Sequence, residues 1–125
     1  MDDDVRDALA KDRVIDITTT GRRTGEPRRI EIWFHRIDGR YFITGTPGHP
    51  RGWYANLVAH PAFTFHLKQS VRADLPATAR PITDPAERER VLAAVLEGGW
   101  NRSRARDGQL AAWIAGSPLV EVTFD

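Results

Sequence analysis

Apolar and polar residues alternate along much of the first two thirds of this chain, a period of two that is typical of β-strands with one buried face. In the segment 29–37, Ile30, Ile32 and Phe34 fall on one face, and Glu31, Trp33 and His35 fall on the other. The dipeptide Asp38-Gly39 follows directly and predicts a two-residue hairpin turn. Strands of this kind have to be paired and covered on one side, which limits the chain to a sheet or a barrel.

Six segments carry strand patterns, and the helices between them are few. The predicted strands are 14–20, 29–37, 41–44, 63–68, 71–80 and 119–124, and the predicted helices are about 4–11, 53–59, 85–97 and 109–115. Short helices cannot cover a broad sheet, so the pattern predicts a mainly β fold with six antiparallel strands in a closed or partly closed barrel. An open sheet with helices on one side is the competing architecture.

The length of 125 residues allows one hydrophobic core, and we predict a single domain over 1–125. Residues 1–12 are expected to form an N-terminal helix or a disordered segment. The chain has no cysteine, which excludes disulfides, thiol catalysis and cysteine-ligated zinc. With an acidic start at 1–4 and no long apolar run, we expect a cytoplasmic protein without an integral membrane segment.

Charge is balanced overall but uneven along the chain. The formal net charge of +1 gives no field that would recruit nucleic acid. Arginines are concentrated between positions 21 and 40, and a second group follows Trp100: Arg102, Arg104 and Arg106. Because guanidinium groups suit phosphate and carboxylate, local positive charge on a nearly neutral protein favours a small anionic ligand.

Two glycine-rich loops are candidate binding sites. The first, 21–25, places Arg22, Arg23 and Thr24 between two glycines, an arrangement that can hold an anion. By composition alone, a hairpin loop with solvated arginines is the favoured interpretation. The second, 45–52, leads into a helix whose N-terminus can also bind anions, with aromatic residues that could lie against a flat ring. The alternative interpretation of this second loop is a glycine- and proline-containing connection without a binding function, followed by aromatic side chains that belong to the core.

Residue patterns of other chemistries are weak. The histidines, at positions 35, 49, 60 and 66, lack metal-ligand spacing, so no metal site is predicted. His35 and His66 fall on outward strand positions and are expected to face solvent. No serine lies in a nucleophile-elbow motif. Any redox chemistry is therefore expected to come from a bound cofactor.

Two stretches resemble known motifs. Thr-Thr-Thr-Gly-Arg-Arg-Thr-Gly-Glu-Pro-Arg at 18–28 and Trp-Tyr-Ala-Asn-Leu-Val-Ala-His-Pro at 53–61 resemble the signatures of the deazaflavin (coenzyme F-420)-dependent nitroreductase and quinone reductase family. The resemblance covers roughly 14–96. It implies a flavin-reductase-like split β-barrel, similar to pyridoxamine-phosphate oxidases.

The resemblance also implies a cofactor and its contacts. The implied cofactor is coenzyme F-420 (8-hydroxy-5-deazaflavin), with FMN as the alternative, and the arginine loop would meet its phosphate and glutamyl tail. The implied cofactor-binding residues are Arg22, Arg23, Thr24, Arg28, Arg29, Ile30, Glu31, Ile32, Trp33, Gly45, Thr46, Pro47, Gly48, Gly52, Trp53, Tyr54, Ala55 and Asn56. The chain has Thr-Pro-Gly-His at 46–49 where family members often have Ser-Lys-Gly-Gly, and it therefore lacks that lysine.

The implied activity is hydride transfer from reduced coenzyme F-420 to a small electrophilic acceptor: a quinone, a nitro compound or an activated alkene. Tyr54 is the candidate catalytic residue, as proton donor, with Tyr41 or water as alternatives. A second hypothesis is a non-catalytic split-barrel module that binds FMN, a lipid or another cofactor. A small nucleic-acid-binding barrel is a third hypothesis, which the near-zero net charge argues against. The expected partners are the small-molecule acceptor and a second copy of the chain in a homodimer, with no nucleic acid.

Overall fold

The computed structural model describes residues 1–98 and 109–125, and the arginines at 102, 104 and 106 lie outside these ranges together with Trp100. The helices are α1 (Asp3–Lys11), α2 (Gly52–Ala59), α3 (Pro85–Glu97) and α4 (Gln109–Gly116). The strands are β1 (Val14–Thr20), β2 (Pro27–Trp33), β3 (His35–Ile37), β4 (Arg40–Thr44), β5 (Ala62–Leu67), β6 (Ala73–Pro81) and β7 (Leu119–Phe124).

Local capping explains where two of the helices begin. The Asp2 side chain accepts a hydrogen bond from the backbone N–H of Asp4 at 2.8 Å, and α1 follows directly. Residues 1–12 were predicted to form a helix or a disordered segment, and the structure has the helix Asp3–Lys11 there. The Asp84 side chain caps α3 by accepting from the Glu87 N–H at 2.9 Å, and Pro85 occupies the first helical position.

The strands form one antiparallel sheet in the order β2-β1-β5-β6-β7-β4-β3. Its two edge strands, β2 and β3, are consecutive in the chain and are separated only by Phe34. The sheet curls into a half-barrel, so the fold is the mainly β, split-barrel class that the sequence predicts.

The strand count differs from the prediction at Phe34, because the predicted single strand 29–37 is divided there and the described part of the chain forms seven strands. The Phe34 side chain is fully buried and its ring meets the ring of Phe65 edge-on at 5.2 Å. Its N–H donates to the carbonyl of Arg13 at 3.0 Å instead of to a neighbouring strand of the sheet. Burying this side chain bends the chain from one edge of the sheet to the other.

Two groups of buried side chains hold the fold together. The larger lies inside the sheet and includes Ile15, Ile17 and Phe65. The smaller packs α3 and α4 against the sheet and includes Leu92 and Trp113. Burial of these apolar surfaces supplies the main driving force for folding.

The predicted solvent exposure of two histidines is wrong. His35 directly follows the bend at Phe34, where the alternation is interrupted and both consecutive residues are buried. His66 does lie on the outer face of the sheet, but its neighbours cover it. Its ring nitrogens lie 2.7 Å from Thr18 Oγ1 and 2.6 Å from Asp74 Oδ1. Among the helices that the structure describes, none is both long and apolar enough to span a membrane.

Candidate functional site

A cavity of about 450 Å³ opens between the loop that follows β1, the inner face of β2 and the first turn of α2. We call it the arginine cavity. Its lining residues are Thr19, Gly21, Arg22, Arg23, Thr24, Arg28, Ile30, Gly52, Trp53 and Asn56. Eight of these ten were predicted as cofactor-binding residues, and they come from three separate segments of the sequence. The volume falls within the usual range of small-molecule sites.

Hydrogen bonds within the loop fix its shape. The N–H of Gly21 donates to the Glu26 carbonyl at 2.8 Å, and the N–H of Gly25 donates to the Gly21 carbonyl at 2.9 Å. The Thr24 hydroxyl accepts from the Glu26 N–H at 3.1 Å. Gly25 has φ +72°, a conformation that favours glycine. The loop is therefore ordered by its own backbone and holds Arg22 and Arg23 at the rim of the cavity.

Asn56 joins this loop to the barrel. The residue is only 5% exposed, and its side-chain oxygen accepts from the backbone N–H of Arg22 at 3.0 Å. Its amide nitrogen donates to the buried hydroxyl of Thr19 at 3.1 Å. The same oxygen lies 3.4 Å from an Arg22 guanidinium nitrogen. Asn56 therefore positions the first arginine of the loop.

The described residues leave the positive charge in the arginine cavity without a carboxylate partner. Within the described parts of the chain, Arg22, Arg23 and Arg28 form no ion pair with a carboxylate. Three unpaired guanidinium groups at one cavity form an electrostatic site for an anion.

The alternation of β2 divides its predicted site residues between two faces. Arg28 and Ile30 line the cavity, and Ile32 packs against the core. Arg29 and Glu31 point to the outer face, where Arg29 lies 3.0 Å from Asp16 and Glu31 pairs with Lys68. Trp33, which is paired with Val14 across the strands, is 36% exposed on that same outer face.

The ion pairs of this outer face shift the pKa of the carboxylate at its centre. Lys68 donates to Asp16 at 2.6 Å, and this hydrogen bond, opposed by partial desolvation and helped by Arg29, lowers the pKa of Asp16. Arg29 and Glu31 thus have ion-pair partners, whereas the arginines of the cavity have none within 1–98 and 109–125.

The aromatic pair on α2 separates two cavities. The rings of Trp53 and Tyr54 meet edge-on with centroids 6.0 Å apart, and Trp53 lines the arginine cavity. Tyr54 instead lines a second cavity of about 350 Å³, together with His49, Arg51 and Ser117. The structure therefore places the predicted catalytic tyrosine across α2 from the arginine loop. Ala55, the next residue of α2, donates its backbone N–H to the Arg51 carbonyl at 3.1 Å.

The predicted ring-binding segment Gly45–Gly48 does not line the arginine cavity. Arg51 folds back over it, and its guanidinium donates to the Thr46 carbonyl at 3.0 Å and to the Thr46 hydroxyl at 2.8 Å. Pro47 lies against Gly116 at the end of α4, and Gly48 has φ +93°. The lining of the second cavity begins at the next residue, His49.

Several residues of the two cavities were not predicted. Thr19 is an inward position in the alternation of β1 with Ile15 and Ile17, so the sequence did contain a signal for it. Ser117 and Arg88 meet at the second cavity only because α3 and α4 pack together, and no local motif marks them.

The protein family of this chain follows from its match to a family model. Residues 3–108 match the family model described as F420H(2)-dependent quinone reductase. The chain belongs to this family. As a member of the quinone reductase family it is an F-420-dependent reductase, and coenzyme F-420 is its cofactor.

Solved structures show the same fold. A conserved hypothetical protein from Mycobacterium tuberculosis is 19% identical, with 99% of this chain and 81% of that chain covered and a TM-score of 0.72. A Listeria innocua protein, provisionally described as a pyridoxamine 5′-phosphate oxidase, is 10% identical, with 98% and 92% covered and a TM-score of 0.69. An F420-H2 dependent reductase is 21% identical, with 90% and 95% covered and a TM-score of 0.59.

The residues of the arginine cavity fit the cofactor of this reductase family. Its phosphate and glutamyl carboxylates are anionic, and Arg22, Arg23 and Arg28 supply cationic donors without a carboxylate partner among the described residues. Trp53 offers an aromatic surface at the same cavity, which suits a flat ring.

Proposed function

We propose that the arginine cavity holds coenzyme F-420 and that the reductase delivers its hydride to a quinone. The observation that carries the site assignment is the convergence of Arg22, Arg23 and Arg28, without carboxylate partners in the described residues, beside Trp53. The acceptor class is supported by the description of the family. Nitro compounds and activated alkenes are the other acceptors that we propose.

In our proposal the residues of the chain bind the cofactor and orient its ring for hydride transfer. Arg22, Arg23 and Arg28 hold the anionic tail, and Asn56 fixes the loop that carries the first two of them. Trp53 forms one wall for the flat ring. Fixed positioning of this kind lowers the barrier of a transfer that needs reacting atoms about 3–3.5 Å apart.

Bound reduced F-420 supplies a hydride, and a quinone that takes up one hydride and one proton becomes its hydroquinone. We propose Tyr54 as the donor of that proton, which water then restores. Its hydroxyl has no hydrogen-bond partner among the described residues, and its ring lies 6.0 Å from that of Trp53, which lines the arginine cavity. A Tyr54→Phe variant would then keep cofactor affinity and lose turnover.

We further propose a homodimer located in the cytoplasm. The edge strand β2 exposes Trp33 at 36% on its outer face, and an edge strand with an exposed apolar side chain suits contact with a second copy. Light scattering on the purified protein measures the mass in solution. A monomer mass across the working concentration range contradicts the dimer.

Charge removal tests the cofactor site. Replacing Arg22, Arg23 and Arg28 together with alanine should weaken F-420 binding by at least a hundredfold, because each charge-assisted hydrogen bond contributes about 1.5–3 kcal/mol. Arg36→Ala is the matched control, since Arg36 is an exposed arginine of β3 that does not line the cavity. Fluorescence titration with F-420 measures both variants.

The affinity of the wild type for F-420 should also fall as the salt concentration rises, because the Debye length shortens from about 10 Å at 0.1 M to about 3 Å at 1 M. Equal affinity in the triple variant and the control contradicts the site. Tight binding of FMN and not of F-420 would make the chain a flavin-binding module instead.

A further inference from the structure

A single residue, Phe34, connects the first two strands to the rest of the sheet. We call segment 1–33 the N-terminal unit; it contains α1, β1 and β2, and it ends at one edge of the sheet. The next strand, β3, begins at the opposite edge. Since the chain has no cysteine, no disulfide joins the unit to the remaining fold, and the other contacts between them are non-covalent.

The sequence at this connection also suits an extended strand. The alternation of 29–37 continues through Phe34, and it would place the apolar residues at even positions on one face of an uninterrupted strand. In the bent form Phe34 and His35 are consecutive and both buried, which breaks the alternation. No turn motif marks the bend, in contrast to Asp38-Gly39 at the next turn. A connection this short favours exchange of the connected unit between two copies of a chain.

The contacts that hold the N-terminal unit in place are also offered by a second copy. β1 pairs antiparallel with β5, where Thr18 lies opposite Thr64. Leu9 and Ile17 of the unit are buried in the same core cluster as Phe65. Because these partners belong to the part of the chain after the connection, a unit that crosses to another copy recovers the same pairing and burial there.

The arginine cavity lies across the boundary of the N-terminal unit. Seven of its ten lining residues belong to the unit, and they include Arg22, Arg23 and Arg28. The other three belong to α2: Gly52, Trp53 and Asn56. The hydrogen bond from the Arg22 N–H to the Asn56 side chain, at 3.0 Å, crosses the same boundary. The cationic groups and the aromatic wall of the site therefore come from opposite sides of a one-residue connection.

We propose that the two copies of the homodimer exchange their N-terminal units, with 29–37 extended, so that each arginine cavity is shared between two chains. The three cavity arginines of one copy then lie beside Trp53 and Asn56 of the other copy. This inference rests on the proposed function, since it states how the second copy takes part in the cofactor site. It differs from contact between outer faces of β2, in which each cavity belongs to one chain.

Engineered disulfides test the exchange without cofactor. Thr18→Cys with Thr64→Cys places two thiols opposite each other on β1 and β5, across the boundary of the unit. Thr78→Cys with Thr123→Cys is the matched control, since β6 and β7 both follow the connection. After oxidation in dilute solution and denaturation without reductant, mass spectrometry should find the first variant as two linked chains and the control as one chain. A single-chain mass for the first variant overturns the proposal.

Joint refolding tests the shared site. One chain carries alanine at positions 22, 23 and 28, the other carries Asn56→Asp, and each refolded alone should bind F-420 weakly. Refolding the two together from urea, in equal amounts, should restore about a quarter of the wild-type binding capacity, because half of the dimers are mixed and each mixed dimer has one intact cavity. Mixing the folded proteins without urea is the control and should restore much less. No recovery after joint refolding overturns the shared site.

The two experiments separate this inference from the proposed function. If the wild type does not bind F-420, the proposed function fails, and the disulfide masses still decide whether the units exchange. If the wild type binds F-420 and the variant with cysteines at 18 and 64 has a single-chain mass, the exchange is overturned and the cofactor site stands.

Discussion

Asn56 holds Arg22 in place: its side-chain oxygen accepts from the Arg22 backbone N–H at 3.0 Å, while its nitrogen donates to Thr19 at 3.1 Å. One buried amide therefore connects α2, β1 and the arginine loop. Its two hydrogen bonds use the acceptor and the donor of the same group, which an apolar side chain cannot replace.

Asn56→Ala should lower the free energy of unfolding by about 1–3 kcal/mol, because two hydrogen bonds of a buried group are lost. It should also weaken F-420 binding, since the loop loses its tether. Asn56→Asp keeps an oxygen for the Arg22 N–H but adds a negative charge beside the cavity arginines, so it should lose F-420 affinity more than stability. Urea unfolding and F-420 titration measure both variants. Wild-type cofactor affinity in Asn56→Asp speaks against an anion at this site.

Gly21→Ala should distort the loop. A Cβ at position 21 would lie 2.7 Å from the Thr24 hydroxyl and 3.2 Å from the Glu26 carbonyl, so Thr24 would have to move and give up its bond to the Glu26 N–H. We expect a loss of about 1–3 kcal/mol in stability, the usual cost of overpacking. Gly52→Ala is the control, because a Cβ there meets nothing within 4 Å. Equal melting temperatures for the two variants would show that the loop adapts freely.

Stability should fall in acid through Glu121. Hydrogen bonds from Arg40 at 2.7 Å and Arg80 at 2.8 Å, opposed by partial desolvation, lower the pKa of Glu121 to about 2. A carboxylate with a depressed pKa contributes stability that is present above about pH 4.5 and is lost as the pH falls towards 2.

Glu121→Gln should therefore lower the free energy of unfolding by roughly 1–2 kcal/mol at pH 7 and by much less at pH 2.5. The value at pH 7 is kept small because the two arginines are half-exposed and solvent screens their charge. Chemical denaturation at the two pH values measures this difference. A pH-independent cost would mean that packing, and not charge, determines the effect.

His35 gives a second pH prediction. Burial, helped by the charge of Arg13, lowers the pKa of His35 to about 4 from an ordinary value of 6.5. The unfolded chain takes up a proton below pH 6.5 while the folded protein does not, so stability should decrease as the pH falls from 6.5 to about 4. NMR titration of the ring signal, assigned by its disappearance in His35→Gln, reads the pKa directly. A midpoint near 6.5 would show that the ring is solvated.

Local signals in the sequence predicted much of this fold. Alternation located the strands, and the Asp84-Pro85 cap located α3. The bend at Phe34 was missed because the alternation continues up to that residue, and only the closure of the sheet makes it turn away. His66 was misjudged because a strand pattern gives the direction of a side chain and not the neighbours that cover it.

The candidate site also contains residues that local motifs predicted and residues that they did not. The glycine-bounded arginine loop and the helix with Asn56 are continuous motifs, and the structure brings both to one cavity. The second cavity needs residues from α2, α3, α4 and the loops beside them, which no local pattern links. Arg29 and Glu31 were included because they lie on β2, but a strand directs successive side chains to opposite faces.

The most direct test of the account is anaerobic stopped-flow oxidation of protein-bound reduced F-420 by menadione. The wild type should transfer the hydride at a rate that saturates with menadione. The variant without Arg22, Arg23 and Arg28 should require far more F-420 to reach the same rate, and reduced FMN should not replace F-420. Tight binding of reduced F-420 with no transfer to menadione, or equal turnover with FMN, would contradict it.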